Sequence, residues 1–199
     1  MTPDSLRIEP LDAERLDDYL AFFETGIPEE EWGHRCYCAA FCGKDNSDET
    51  GMEKAEGRRD AAIRYIREGC LTGYLAYEGD ETVGWCGAGD REACRSCFGV
   101  RWIIGGELPR TDEIAVSVFC FEIRPDKRRH HIASALLDRV ISDARETGCA
   151  FVEAYPLKEG EDVLKNYSGH RGFYEKRGFK PVAETEKRLI MRKYLHPGD

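Results

Sequence analysis

The sequence predicts a single mixed α/β domain, and three features predict it. Residues 114–123 (IAVSVFCFEI) are nearly all apolar, as expected of a strand buried on both faces. Residues 131–147 repeat Ile132, Leu136, Val140 and Ala144 at i+4, one face of an α-helix, and residues 149–155 form a second apolar run. Strand, helix and strand in that order describe a right-handed crossover between two parallel strands. Residues 73–78 and 82–88 are β-like runs separated by Gly79-Asp80-Glu81, an antiparallel hairpin. The sheet is therefore mixed and mostly antiparallel, with one parallel pair. No 20–50-residue repeat and no linker divides the 199 residues.

The remaining elements follow in order. Residues 6–8 read as a short strand. Asp12 is a good N-cap for a helix running to about Thr25, with Leu16, Tyr19, Leu20 and Phe23 on one face, ended by Gly26 and Pro28. Residues 32–53 are rich in Cys, Gly, Asp and Ser and read as a loop or broken helix. A helix is expected over 52–68, with Ala55, Ala62, Ile63 and Ile66 inward and Gly69 as its stop. Residues 89–110, with two Cys, read as an irregular insertion. Pro125 stops the 114–123 strand, Gly148 caps the long helix, and Pro156 ends the strand after it. A short helix over 168–177 ends at Gly178, and strands near 179–183 and 188–194 close the chain.

Composition narrows the function. Apolar residues make up 41% and charged residues 34%, a globular balance. Lys and Arg number 29 against 38 Asp and Glu, a net charge of −9, which argues against nucleic acid and favours a cationic partner. No stretch approaches the roughly 20 apolar residues that cross a bilayer, and the polar, acidic start has no signal-peptide core, so no membrane partner and a cytoplasmic location are expected. Nine cysteines in such a chain do not suggest a disulfide framework. Cys36, Cys38 and Cys42 form one cluster, and Cys94 and Cys97 a CxxC pair. Cys36, Cys38, Cys94 and Cys97 could supply four thiolates to a structural zinc, but neither half has standard spacing, and small buried side chains explain them as well. No metal is therefore assigned.

The junction 123–137, IRPDKRRHHIASALL, carries the most chemistry. A helix N-terminus exposes free N–H groups and partial positive charge, and Lys127, Arg128 and Arg129 stand just before it: a site for phosphate or pyrophosphate. It matches neither a Walker loop nor a dinucleotide fingerprint.

Two segments resemble the GNAT superfamily of N-acetyltransferases. Residues 125–137 are similar to its acyl-CoA pyrophosphate loop, R/Q-x-x-G-x-G/A, through Arg128 and Ala133. Residues 172–179, GFYEKRGF, resemble its Y-x-x-x-G-F signature through Tyr174, Gly178 and Phe179. The agreement covers about 73–195, which would hold the core sheet and CoA site. It is loose over 1–72, which would be a helical, acceptor-side region of the same domain. The resemblance implies acetyl-CoA as cosubstrate, with pyrophosphate on Arg128, Arg129, His130, His131, Ile132, Ala133 and Ser134, and pantetheine along the backbone near Phe121 and Ile123. One departure stands out: His131 occupies the position of the family's first loop glycine, where backbone must approach phosphate closely. If its ring turns aside, the two histidines add charge that makes CoA binding tighter in mild acid. Otherwise binding is weakened, or the substitution has no role.

The resemblance also assigns Tyr174 as the acid that protonates departing CoA thiolate. A phenol is neutral at pH 7 and able to donate. An alkylamine acceptor is only about 0.04% neutral at pH 7, so a base is needed as well. Glu122 and Glu153 each interrupt an apolar strand; Glu153 ranks first as base, with Glu122 as its alternative or as an ion-pair partner of the basic loop. Trp85, Glu122 and Tyr155 are candidate acceptor contacts. The expected reaction is direct acetyl transfer to the primary amine of a small cationic molecule or a lysine side chain. Two other readings stay open: a non-catalytic acyl-CoA-binding regulatory domain, and a zinc-stabilised interaction domain using Cys36, Cys38, Cys94 and Cys97. The choice between monomer and homodimer stays open.

Overall fold

The computed structural model describes residues 6–27, 35–158 and 167–195. A seven-stranded sheet crosses the molecule in the order β1-β2-β3-β4-β5-β7-β6. Its strands are β1 (Leu6–Pro10), β2 (Gly73–Glu78), β3 (Glu81–Asp90), β4 (Ala115–Ile123), β5 (Phe151–Ala154), β6 (Lys180–Glu184) and β7 (Leu189–Tyr194). All neighbours are antiparallel except β4 and β5, the predicted parallel pair.

One face of the sheet carries the crossover helix. We number the helices α1 (Leu16–Ala21), α2 (Ala55–Arg67), α3 (Arg91–Cys94), α4 (Phe98–Ile104), α5 (Ile132–Glu146) and α6 (Arg171–Glu175). Helix α5 buries Ile132, Leu136, Leu137, Val140, Ile141 and Ala144 against Val118, Val152 and Ala154, each large side chain contributing about 1.5–3 kcal/mol of gross burial. It lies close because Gly84 has no side chain: a Cβ there would meet Ile123 and Ile132 at 2.9 Å. That contact sets the N-terminus of α5 beside the end of β4. The other face is covered by α1, α2, α4 and the Cys-rich segment around Tyr19, Phe23, Tyr65 and Trp85.

Asp12 caps the first turn as expected, accepting from the N–H groups of Glu14 and Arg15, and α1 continues through a π-type turn at Phe22–Gly26. Helix α2 starts at Ala55, later than periodicity alone suggests, after turns that include the left-handed Gly51. Residues 89–110, expected to be irregular, hold α3 and α4. Asp90 caps α3 by accepting from Ala93 N, and Gly105 closes α4 in the left-handed conformation. Neither helix is long enough to show a period. Helix α6 is shorter than expected, with His170 as its N-cap. Pro28 and residues 32–34 of the expected loop lie outside the described residues.

The cysteine quartet does not assemble. Cys36 and Cys38 stand with Cys120, whereas Cys94 and Cys97 stand with Cys42. Among the described residues no group of three or more His, Cys, Asp or Glu could hold a metal ion, and no helix is long and apolar enough to cross a membrane.

Candidate active site

Strands β4 and β5 pair only from Ala115↔Phe151 to Val118↔Ala154; β5 then ends while β4 runs on to Ile123. At the point of parting β4 bulges. Gly87 pairs with Cys120 and Ala88 with Val118, so Phe119 is an extra residue. The bulge breaks the alternation of side chains and puts Phe119 and Cys120 on one face, followed by Glu122. All three line a cleft of about 400 Å³, together with Cys36, Cys38, Phe41, Arg58, Trp102, Ile103, Tyr167, Ser168 and Arg188.

On the edge of β4 that β5 leaves, the Phe121 N–H donates to the Tyr167 carbonyl at 2.6 Å. Tyr167 belongs to a strap held at several points: the Tyr174 hydroxyl donates to the Ser168 carbonyl at 2.6 Å, Arg188 Nη1 donates to Ser168 Oγ at 2.9 Å and to the Tyr155 carbonyl at 2.7 Å, and Leu157 bridges His170. Tyr174 is fully buried, and burial pushes its phenol well above the ordinary range, so it keeps its proton.

The loop beyond β4 turns sharply into α5. His131 is the N-cap residue at φ 63°, with Arg129 at φ 65°, both in the left-handed region that a glycine enters freely and an L side chain enters at a cost of about 1–2 kcal/mol. Thus the backbone at His131 holds the conformation that glycine favours. The imidazole is exposed and makes no capping bond, leaving the first turn at Ile132, Ala133 and Ser134 without a side-chain cap. Of the three expected cations, Lys127 is drawn away to Glu78. Arg128 reaches back, its Nε donating to the Ile123 carbonyl at 3.3 Å and its Nη2 lying 3.8 Å from Glu122. Arg129 and His130 are exposed.

Glu153 is elsewhere. It is fully buried on the paired stretch of the two strands, where its oxygens accept from Arg91 Nε at 3.0 Å, Arg192 Nε at 2.6 Å and the Tyr155 hydroxyl at 2.8 Å; Ser117 Oγ completes the network at 2.6 Å from that hydroxyl. It does not line the cleft, and both of its oxygens are engaged by Arg91, Arg192 and Tyr155. Trp85 and Tyr155 are likewise fully buried behind the cleft rather than in its lining. Trp85 donates to Cys38 Sγ at 3.2 Å, and Tyr155 stacks on Phe119. Of the expected acceptor contacts, only Glu122 lines the cleft. Sequence reasoning missed Phe119, Tyr167, Ser168, Arg188 and Arg91. Only Arg91 left a signal: a glutamate in an apolar strand calls for a buried cation.

The cleft shares three cysteines, all protonated. The thiol of Cys36 is raised by its hydrogen bond with Cys38 and by burial, and that of Cys38 by its bond with Cys120 and by burial. Cys120 is raised by burial despite its bond with Cys38.

A mixed sheet whose single parallel pair parts at a bulge, beside the uncapped N-terminus of its crossover helix, is the architecture of an acyl-CoA-dependent transferase. The chain belongs to the acetyltransferase (GNAT) family, whose model matches residues 40–179. It is an acetyl-CoA-dependent N-acetyltransferase. Solved structures with the same fold include an N-acetyltransferase from Staphylococcus aureus Mu50 (15% identity, TM-score 0.55, 96% of this chain and 99% of that one). Others are the PaiA N-acetyltransferase from Thermoplasma acidophilum in complex with coenzyme A (14%, 0.53, 96% and 99%) and the ribosomal-protein-S18-alanine N-acetyltransferase from Escherichia coli (11%, 0.52, 98% and 96%). A comparison with curated proteins finds no match.

Proposed function

We propose that this enzyme transfers acetyl directly from acetyl-CoA to a primary amine bound in the cleft between β4, α4 and the Cys-rich segment. The observation that carries this reading is the Phe121 N–H. It lies where β4 has lost its neighbour, and a carbonyl already sits on it at 2.6 Å. The thioester carbonyl takes the place of the Tyr167 carbonyl there, and the N–H carries charge that builds on the thioester oxygen. Pantetheine extends along the same edge toward Ile123, and the pyrophosphate rests on the uncapped first turn of α5, with Arg128, Arg129, His130 and His131 around it. The left-handed backbone at His131 supports this fit, since the exposed ring leaves the helix N–H groups clear.

The amine nitrogen forms the new bond to the acetyl carbon as the carbon–sulfur bond breaks. Tyr174 gives its proton to the leaving sulfur, and the proton lost by the amine passes to Glu122, directly or through water. Glu122 takes the role of base in preference to Glu153 because it lines the cleft, whereas the Glu153 oxygens are held by Arg91, Arg192 and Tyr155. The raised Cys120 thiol favours direct transfer over an acyl-enzyme, since a protonated thiol is a poor nucleophile.

Binding of the thioester displaces the Tyr167–Ser168 strap from Phe121 and frees the Tyr174 hydroxyl from Ser168 in the same movement. Calorimetric titration with acetyl-CoA, followed by an amine screen, tests the reading. Saturable binding is expected, with turnover that Glu122→Gln lowers about tenfold while acetyl-CoA affinity is kept. Absence of binding up to about a millimolar would sink it.

A further inference from the structure

The cleft also bears on which amine is acetylated, an inference that rests on the acetyltransferase reading above. The chain is acidic overall, but among the described residues few acids line the cleft. Asp18, Asp80, Glu81 and Asp126 line a separate groove of about 590 Å³. Among the described residues that line the cleft, Glu122 is the one carboxylate, against two guanidiniums, Arg58 and Arg188. A polyamine or an aminoglycoside brings several ammonium groups, each of which needs an anion or water when it leaves solvent. Among the described residues the cleft offers one carboxylate, with Arg128 Nη2 3.8 Å from it.

What it offers instead is aromatic surface. Phe41 stacks on Phe119 with ring centroids 5.1 Å apart at 20°, and Phe119 stacks on the buried Tyr155 at 6.1 Å and 11°. This row of three rings is anchored from behind by the Tyr155 hydroxyl, which is bonded to both Ser117 and Glu153. At the outer end, Trp102 of α4 lines the cleft while 67% exposed. Phe98, 49% exposed, precedes it by four residues on the same helix face. Phe119 and Tyr155 are buried within the row, so the aromatic surface the cleft presents is that of Phe41 at its end and of the exposed Trp102, which suits a flat apolar group.

We propose that the acceptor is a small primary monoamine carried on an aromatic body, an arylalkylamine, its ring held between Trp102 and the Phe41–Phe119 stack and its nitrogen directed to Glu122. This narrows the expectation of a small cationic molecule or a lysine side chain to one class of amine. Net charge describes the whole surface, whereas selection among amines is decided by the few groups that line the cleft.

Steady-state kinetics at saturating acetyl-CoA, with 2-phenylethylamine, tryptamine, spermidine and an N-capped lysyl peptide as acceptors, test the proposal. The two arylalkylamines are expected to exceed spermidine and the peptide in kcat/KM by about 100-fold. Trp102→Ala is expected to raise the KM for 2-phenylethylamine about tenfold with kcat held, and Trp102→Phe to restore most of it. Because Trp102 is mostly exposed, the variant keeps the fold, and an unchanged acetyl-CoA titration verifies this. Calorimetry of 2-phenylethylamine into the enzyme–CoA complex reads acceptor binding without turnover. Spermidine or the lysyl peptide equalling the arylalkylamines would overturn the proposal, as would a Trp102→Ala enzyme with unaltered KM. Acetyl-CoA binding with no arylalkylamine binding would overturn it while leaving the acetyltransferase reading intact. Failure of acetyl-CoA itself to bind would remove both.

Discussion

The two ends of the β4–β5 pair use charge in opposite ways. Where the strands are paired, Glu153 is held by Arg91, Arg192 and Tyr155, with Ser117 bonded in turn to Tyr155. Past the bulge at Phe119 the strands separate, and Glu122, two turns of the same pleat from the Ser117 position, lines an open cleft beside Arg128. Both carboxylates are buried, but the Glu153 oxygens accept three hydrogen bonds from groups that do not line the cleft, whereas Glu122 lines it. The parting of two strands, rather than the chemistry of the side chain, separates these two settings.

The comparison breaks most decisively at its closed end. Glu153→Ala strands two arginines, one of them only 1% exposed, and is expected to cost about 3–5 kcal/mol in urea unfolding while the folded fraction keeps its turnover. A Glu153→Gln enzyme with wild-type stability and no turnover would return the base to Glu153.

Tyr174→Phe sharpens the open end. It is expected to lower kcat about 100-fold without weakening acetyl-CoA, because the lost hydroxyl is bonded to the strap rather than to a wall of the site. The sign of its titration follows from burial. The raised phenol keeps its proton to higher pH than an ordinary tyrosine, so kcat should show no alkaline loss due to Tyr174 between about pH 8 and 9.5. A limb in that window that disappears in Tyr174→Phe would contradict the assignment.

The smallest effect concerns the strap. Ser168→Ala removes one bond from Arg188 and loosens a segment that competes with the thioester, so acetyl-CoA should bind about fivefold tighter. Adenosine 3′,5′-bisphosphate, which reaches the α5 terminus but carries no pantetheine, should bind with unchanged affinity. Equal shifts for both ligands would show that the strap and Phe121 do not compete.

Most of the fold was legible in the residues because its long elements carry strong periods. Leu136 and Val140 mark α5, and the runs around Val118 and Val152 mark the parallel pair. The insertion at 89–110 was misread because α3 and α4 span four and seven residues, too few turns for a period to show. In the site, the sequence pointed to Glu122 and Glu153 together, since both interrupt apolar strands. It could not tell which of them lines the cleft, because nothing local reveals that Phe119 is a bulge residue or that Arg91 and Arg192 converge on Glu153.

By itself, then, the sequence determined the layered sheet, the crossover helix with its basic N-terminal loop, and the family to which both belong. These depend on patterns read within one or two elements. Only the tertiary structure decided which glutamate meets the cleft, that the His131 backbone is left-handed, that Tyr167 stands on the Phe121 N–H, and that Phe41, Trp102 and Phe119 line one cleft. Each of those depends on contacts between segments far apart in the chain, such as Phe41 with Phe119 and Arg91 with Glu153, and a one-residue bulge sets which side chains face them.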